Sequence, residues 1–396
     1  MTTLLTEATG LFAAAAPDLR THLARNGPLP RRVGALVDDV RAAGLTGRGG
    51  AGFPVWRKLA TVAEGQDAVV IGNAAESEPA SSKDHVLLVR APHLVLDGLQ
   101  LAGETVRATE AYLYVAAGAA AETVRKALAE RRDALPVTVV VAPDYFVAGQ
   151  ESAVVAAIEG RPALPADRLE LTARSGVHGR PTLVQNVETL AHVAQIARYG
   201  PRWFRRCGTA EEPGTFLATV SGAVRHGGVH EVPVGIPLTD LLGRAGAPAG
   251  ELRAVLVGGY HGTWIPAADA STPLSRKALA PIGGSLGAGV VVALDSTRCG
   301  LKAAADVMNY LSSQSARQCG PCLNGLPAMA RTMTALAEGA RPDLPERAAR
   351  LAALVDRRGA CGHPDGAARF VRSSLAVFGD EIARHLRGAC VARRTS

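Results

Sequence analysis

The chain is poor in aromatic residues, which make up 4% of its 396 positions. That scarcity argues against a surface on which nucleic-acid bases could stack. It also lacks any uninterrupted apolar run of about eighteen residues, so no helix is expected to span a bilayer. Met1 to Pro17 carries no basic n-region and puts Glu7 ahead of the short apolar run Leu11 to Ala16, so it does not read as a signal peptide. No internal repeat and no low-complexity tract is present, which excludes a solenoid. Nor is there a block of one charge. Lys and Arg exceed Asp and Glu by 43 to 36, giving a net charge of +7, but only in short clusters such as Arg205-Arg206 and Arg393-Arg394. A scattered excess of this kind is a solvated surface and not a nucleic-acid footprint, and it suits a small acidic protein partner.

Apolar residues make up 47% of the chain, with Ala and Gly prominent. A chain this long exceeds one compact core and predicts two or three domains. Six cysteines without secretory context point to a reducing compartment, the cytoplasm, where clustered thiols serve as ligands more often than as disulfides.

Hydrophobic periodicity predicts an α/β alternation at the start: helix over Pro30–Ala43, strand over Ala68–Ile71, helix over Pro92–Ala108, strand over Ala111–Ala116, helix over Glu122–Arg132 and strand over Val137–Val141. Helical spacing returns over Ser152–Glu159 and Val187–Tyr199, closing a first α/β domain at residues 1–200. After a polar connector, Thr215 to Gly259 reads as a compact α+β module, and Val290 to Leu294 as a strand. From Leu301 onward the pattern is helical, interrupted at Gly320-Pro321, at Arg341-Pro342 and at Gly359 to Pro364.

Three cysteines sit at those interruptions. Cys319-Gly320-Pro321-Cys322 is a C-x-x-C knuckle able to hold one metal, and Cys361 offers a third sulfur from a second loop. With His363 the set would be Cys3His, a structural zinc site; with the fourth position empty or otherwise filled it suits iron-sulfur. Both remain open on the residues alone. Gly47, Gly49 and Gly52 satisfy G-x-G-x-x-G, yet the loop follows a helical stretch instead of a strand, so an ordinary Rossmann unit is excluded. The loop Asn73 to Pro79 follows a strand and should present its polar groups at the strand's carboxyl end, where open α/β sheets bind ligands. Gln185 to Thr189 is a further polar cluster at an expected helix start.

Taken together and in this order, these segments resemble the NADH- and FMN-binding flavoprotein subunit of respiratory complex I and the related subunits of soluble dehydrogenases and hydrogenases. The resemblance rests on Gly47-Arg48-Gly49-Gly50-Ala51-Gly52-Phe53-Pro54 with Lys58, on Asn73 to Pro79 with Lys83-Asp84, on Gly149-Gln150-Glu151-Ser152 with Glu159-Gly160, and on Gly179-Arg180-Pro181-Thr182 with Asn186 to Leu190. It implies a flavin-binding α/β domain with an atypical Gly-rich loop, then a ubiquitin-like α+β SLBB module at 214–266, a connector at 267–300 returning to the flavin domain, and a helical iron-sulfur domain at 301–396. By the same resemblance Gly47, Arg48, Gly49, Lys58, Asn73, Glu76, Ser77, Asn186 and Thr189 would line an FMN site, and Phe53, Glu76, Glu78 and Glu151 would lie near the nicotinamide nucleotide. Cys319, Cys322 and Cys361 would hold the cluster.

The departures are specific. The family reads Asn-Ala-Asp-Glu where this chain has Asn73-Ala74-Ala75-Glu76, and Gly-Glu-Glu where it has Gly149-Gln150-Glu151. Thr61 stands where an aromatic residue is expected to stack on adenine, and Leu169 to Ala173 replaces a Lys-Pro-Pro-Phe-Pro stretch. Ala316 stands where the family has the first cysteine of C-x-x-C-x-x-C, so the cluster is expected as [3Fe-4S], or as [4Fe-4S] with Ser315, His363 or solvent in place of the thiolate. The function implied is an FMN-dependent oxidoreductase passing electrons from NAD(P)H through flavin and cluster to an acidic, ferredoxin-like protein or to partner subunits, in the cytoplasm or on the cytoplasmic face of a membrane complex. Two alternatives stand beside it: an FMN and iron-sulfur relay or scaffold subunit without nicotinamide binding, and a zinc-stabilised ligand-binding protein.

Overall fold

A strand covered on both faces has to be apolar throughout, and Ala68–Ala74 (β1) is: six of its seven residues are buried, and Asn73 is partly so. In the computed structural model, which describes residues 10–30, 34–167, 170–339, 341–390 and 392, helices α1 (Leu19–Asn26), α2 (Leu36–Ala43) and α3 (Val55–Ala63) precede it. There follow α4 (Lys83–Arg90), α5 (Pro92–Val106), β2 (Ala108–Ala116), α6 (Ala119–Ala129), β3 (Val137–Ala142), α7 (Glu151–Ile158), β4 (Thr182–Asn186), α8 (Val187–Tyr199) and α9 (Pro201–Phe204). The strands pair in the order β3-β2-β1-β4, all parallel. The expected alternation is present, with α2 beginning at Leu36; residues 31–33 of the predicted Pro30–Ala43 helix lie outside the described residues, as do residues 1–9, Leu169 and the Arg393-Arg394 pair.

Helix α8 is buried from Val187 through Ala197, which no amphipathic surface helix would be. It packs on α5 so closely that a Cβ on Gly98 would fall 1.9 Å from the Leu190 carbonyl oxygen. Only glycine permits that approach.

The chain divides into two compact units. One runs to Leu217 and includes Val229–Gly235; the other comprises Ala218–Gly228 and Ile236 onward. Strand β6 (Gly228–Pro233) belongs from Val229 to the first unit. In the second unit β9 (Val290–Asp295) pairs with the part of β5 (Thr215–Gly222) from Ala218 onward and with β7 (Leu252–Val257), and β7 pairs with β8 (Thr263–Pro266). Helices α10 (Leu238–Arg244) and α11 (Arg276–Leu279) lie between its strands in the chain, and α12 (Gly300–Ser313), α13 (Leu326–Ala337), α14 (Leu344–Val355), α15 (His363–Val377) and α16 (Gly379–His385) follow. The stretch 267–300 falls within the second unit. Its strand β9 runs parallel to β5 and antiparallel to β7, at the centre of the second sheet, because Val290-Val291-Val292 needs neighbours on both edges. Trp264 on β8 sits 5.1 Å from Phe378 and 6.4 Å from Phe370, so sheet and helices share one core.

Among the described residues, no single helix is long and apolar enough to cross a membrane.

Candidate functional site

Strand order creates a switch point. The chain leaves β1 for β2 and β3 on one side and comes back as β4 on the other, which makes the crevice at the carboxyl ends of β1 and β4 the expected ligand position. Asn73 and Asn186 are register partners at those ends. A cavity of about 320 Å³ opens there, lined by Gly47, Gly49, Phe53, Lys58, Asn73, Glu151, Asn186 and Thr189, together with Gly149, Gln150, Val184 and Gln185.

Each wall has a local cause. The glycine loop closes on itself, with Gly47 N donating to Phe53 O at 2.9 Å, and needs glycine at positions 50 and 52, where φ is 105° and 58°. It leads straight into α3, bringing Lys58 to the cavity, where Nζ reaches Glu151 Oε2 at 2.9 Å and Val184 O at 3.1 Å. Asn73 spans to the opposite wall by donating to Gly149 O at 2.9 Å. Asn186 is the N-cap of α8: its Oδ1 accepts from Glu188 N at 3.0 Å, while Nδ2 donates to Asp84 Oδ2 at 2.7 Å. Gln150 caps α7 in the same way, its Oε1 accepting from Ser152 N at 2.8 Å. Phe53 is 47% exposed at the rim, a ring face offered to solvent.

Beneath the cavity lies an ionic cluster. Lys83 Nζ contacts Asp84 Oδ1 at 2.7 Å, Glu188 Oε2 at 2.9 Å and Asn186 Oδ1 at 3.2 Å, all essentially out of water. Burial works to pull the Lys83 pKa down, but the two carboxylates outweigh it and the net shift is upward. For Glu188, burial pushes the pKa up against the opposing pull of Lys83 and Arg48.

Not every residue implicated by resemblance reaches the cavity. The Arg48 guanidinium turns to the carbonyls of Thr215 and Thr46, while its backbone N donates to the Thr189 hydroxyl at 2.9 Å. Glu76, held at a left-handed φ of 42°, spends its carboxylate on the start of α4, accepting from Asp84 N at 2.9 Å, His85 N at 2.7 Å and the Ser81 hydroxyl at 2.8 Å. Ser77 borders the wall at Gly149 without lining the cavity, and Glu78 lies outside it. Sequence reasoning did not select Val184 or Gln185 for the site. Gln185 lines the cavity and its Nε2 is buried with no hydrogen-bond partner; only its position in the cluster before Asn186 hinted at this.

In the second unit Cys319 and Cys322 lie within hydrogen-bond reach of each other, and Cys361 is near enough for its charge to act on both. Burial works to raise the Cys319 pKa, but amide donors from Ala360 and Cys322 outweigh it and hold the thiol below its ordinary value. Burial, reinforced by Cys319 and Cys361, pushes Cys322 up to about 11. Amides aimed at a sulfur are what a ligating thiolate needs. His363 does not join them: its Nε2 contacts Leu311 O at 2.8 Å and its Nδ1 contacts His261 Nε2 at 3.0 Å, so the Cys3His zinc arrangement has no geometric basis.

Residues 40–195 match the family described as the Nuo51 FMN-binding domain, and residues 302–385 match the NADH-ubiquinone oxidoreductase-F iron-sulfur binding region. The second NADH-quinone oxidoreductase F subunit of Rhizobium meliloti is 31% identical over 89% of this chain and 88% of its own length. The chain belongs to the family of NADH-quinone oxidoreductase F subunits. The F subunit of Streptomyces coelicolor is 30% identical, with 89% of this chain and 83% of that protein covered. A chain of an NAD+-reducing [NiFe]-hydrogenase, solved in the H2-reduced state, superposes with a TM-score of 0.81 at 33% identity over 89% of this chain; the present chain spans 62% of that hydrogenase chain. The two matched regions of this NADH-quinone oxidoreductase family member contain the cavity and the three thiols respectively.

The residues present fit both groups the family implies. At the cavity, an unpartnered amide donor and glycine at 47 and 49 leave room for a polar planar ligand; a Cβ on Gly49 would already stand 3.2 Å from Asn186 Cβ. Three converging thiols form the soft donor set of an iron-sulfur centre.

Proposed function

We propose that this chain is an FMN- and iron-sulfur-dependent electron-transfer subunit that takes electrons from NAD(P)H and delivers them to a protein acceptor. The cavity at the β1/β4 switch point, with its unpartnered Gln185 amide and self-closed glycine loop, is the observation that carries this reading. Bound FMN would supply hydride acceptance and release of single electrons. The protein's share is to hold and orient it: Gly47, Gly49, Asn73, Gln185, Asn186 and Thr189 supply the walls, Lys58 a cation, and Phe53 a ring at the rim. Arg48, Glu76 and Ser77 act from behind those walls. Glu151 faces the cavity, where the nucleotide would approach, and Glu78 lies beyond it. Cys319, Cys322 and Cys361 would hold the cluster, with a non-cysteine fourth ligand or as a three-iron centre, since Ala316 cannot bind iron.

We read residues 1–200 as the flavin domain, 214–266 with the added strand β9 as an SLBB-like module, and 301–396 as the cluster domain. The relatives are named as subunits of NADH-quinone oxidoreductases, which supports partner subunits here. The net charge of +7 suits an acidic acceptor, which complementary charge would speed on encounter. All six cysteines are free thiols, which fits the cytoplasm.

A relay without nicotinamide binding is the second reading, favoured by the Lys58–Glu151 ion pair and by the use of Gln150 as a helix cap. Anaerobic titration of flavin-loaded protein with NADH and NADPH separates the two. Bleaching of the flavin band supports the dehydrogenase; a flavin left oxidised by both nucleotides overturns it.

A further inference from the structure

Outside the thiol cluster, Cys299, His385 and Cys390 meet in the second unit. One ligand atom from each lies within 4.8 Å of the other two, and Cys299 Sγ stands 3.5 Å from His385 Nε2. Zinc–sulfur bonds of about 2.3 Å and zinc–nitrogen bonds of about 2.0–2.1 Å at the tetrahedral angle require an S···N edge of about 3.6 Å. This pair is therefore already at ligation spacing.

The elements explain the convergence. Cys299 is the N-cap of α12, where its sulfur accepts from Lys302 N at 3.4 Å; burial outweighs that amide and pushes the thiol up to about 12, so in the metal-free protein the sulfur carries its proton. His385 is the last residue of α16 and is buried, as is Cys299, so two donors are fixed by packing. Cys390 is exposed and approaches from the segment after α16, leaving a path from solvent. Two sulfurs and an imidazole are soft and borderline ligands, suited to zinc and unsuited to magnesium or calcium.

We propose that Cys299, His385 and Cys390 form a second metal site, separate from the Cys319-Cys322-Cys361 set, that binds a zinc ion with water in the fourth position. Binding displaces the two thiol protons to solvent and ties the segment after α16 to the start of α12.

The test uses the holoprotein, flavin- and iron-loaded and purified anaerobically, equilibrated with zinc chloride, desalted, and measured for zinc and iron by mass spectrometry of the elements. The wild type should retain about one zinc per chain more than either Cys390→Ser or His385→Gln, with iron and flavin contents unchanged. Cys390 is exposed, so its substitution leaves packing intact even if the His385 variant fails to fold. X-ray absorption at the zinc edge should show a shell of two sulfurs and one nitrogen. Equal zinc in wild type and Cys390→Ser, no zinc in the wild type, or a Cys299–Cys390 cross-linked peptide in the anaerobic protein would each overturn the proposal.

Discussion

Replacing Lys83 by Met tests how the floor of the cavity is held. The side chain is 3% exposed and neutralises Asp84 and Glu188, themselves 7% and 1% exposed. Methionine keeps the volume but strands two carboxylates out of water, a loss that costs about 3–5 kcal/mol when one partner of a buried ion pair is removed. For a unit of roughly this size, each kcal/mol lowers Tm by about 2–4 °C, so the transition of the first unit should fall by roughly 6–20 °C. Calorimetry at neutral pH reads it directly. Adding Glu188→Gln should restore part of the loss, because the amide oxygen still accepts from Leu217 N, now 2.8 Å from Glu188 Oε1, while the orphan charge disappears. The double variant should recover at least about 1 kcal/mol relative to the sum of the singles. A fall below about 2 °C for Lys83→Met, or strict additivity in the cycle, would refute the claim that this cluster holds Asn186 and the start of α8.

Three further outcomes are expected. Gly49→Val should press on Asn186, whose Cβ stands 3.2 Å from the position of the added Cβ, and weaken FMN binding at least about tenfold in a fluorescence titration while thermal stability changes little. Ala316→Cys should raise iron toward about four per chain by elemental analysis; an unchanged, already full complement would mean that another ligand replaces the thiolate. His192 is fully buried, and burial, aided by Arg48, holds its pKa down to about 3. Because the unfolded chain binds its proton first, this histidine's contribution is intact above about pH 6.5 and is lost as pH falls toward 3, by up to roughly 5 kcal/mol. His192→Leu should flatten that part of the denaturation profile, and an unchanged slope would exclude His192 as its source.

Much of the first unit was legible because its strands are short apolar runs bounded by turn residues and its helices keep their spacing: Val187–Tyr199 has the predicted bounds, and β3 is one residue longer than expected. The polar cluster Gln185 to Thr189 does hold the start of α8, but its first two residues close the strand β4 (Thr182–Asn186), which the periodicity did not announce because Thr, Gln and Asn interrupt its apolar pattern. Helix α4 went unseen because its first turn, Lys83-Asp84, looks like surface and is buried only by virtue of Glu188, about a hundred residues away. The site shows the same limit. Glycines and asparagines at strand ends announced a ligand crevice, but nothing in the spacing of Glu76 revealed that its carboxylate serves the amides of Asp84 and His85. Cys299, His385 and Cys390 carry no motif at all; only the fold assembles them.

Cys322 lies in a π-helical turn, Pro321–Gly325, where Leu326 N reaches back to Pro321 O and Gly325 lets Val355 approach to within 2.2 Å of where a Cβ would be. Such a turn carries one residue more than an α-helical path between the same ends. Each residue of an α-helix advances by about 100°, so deleting one position here would regularise the helix and swing the thiol about that far from its neighbours. The segment is thus a frame-sensitive stretch of the gene product: point substitutions at its surface can drift, whereas a single-codon loss or gain would separate Cys322 from Cys319 and Cys361 at a stroke.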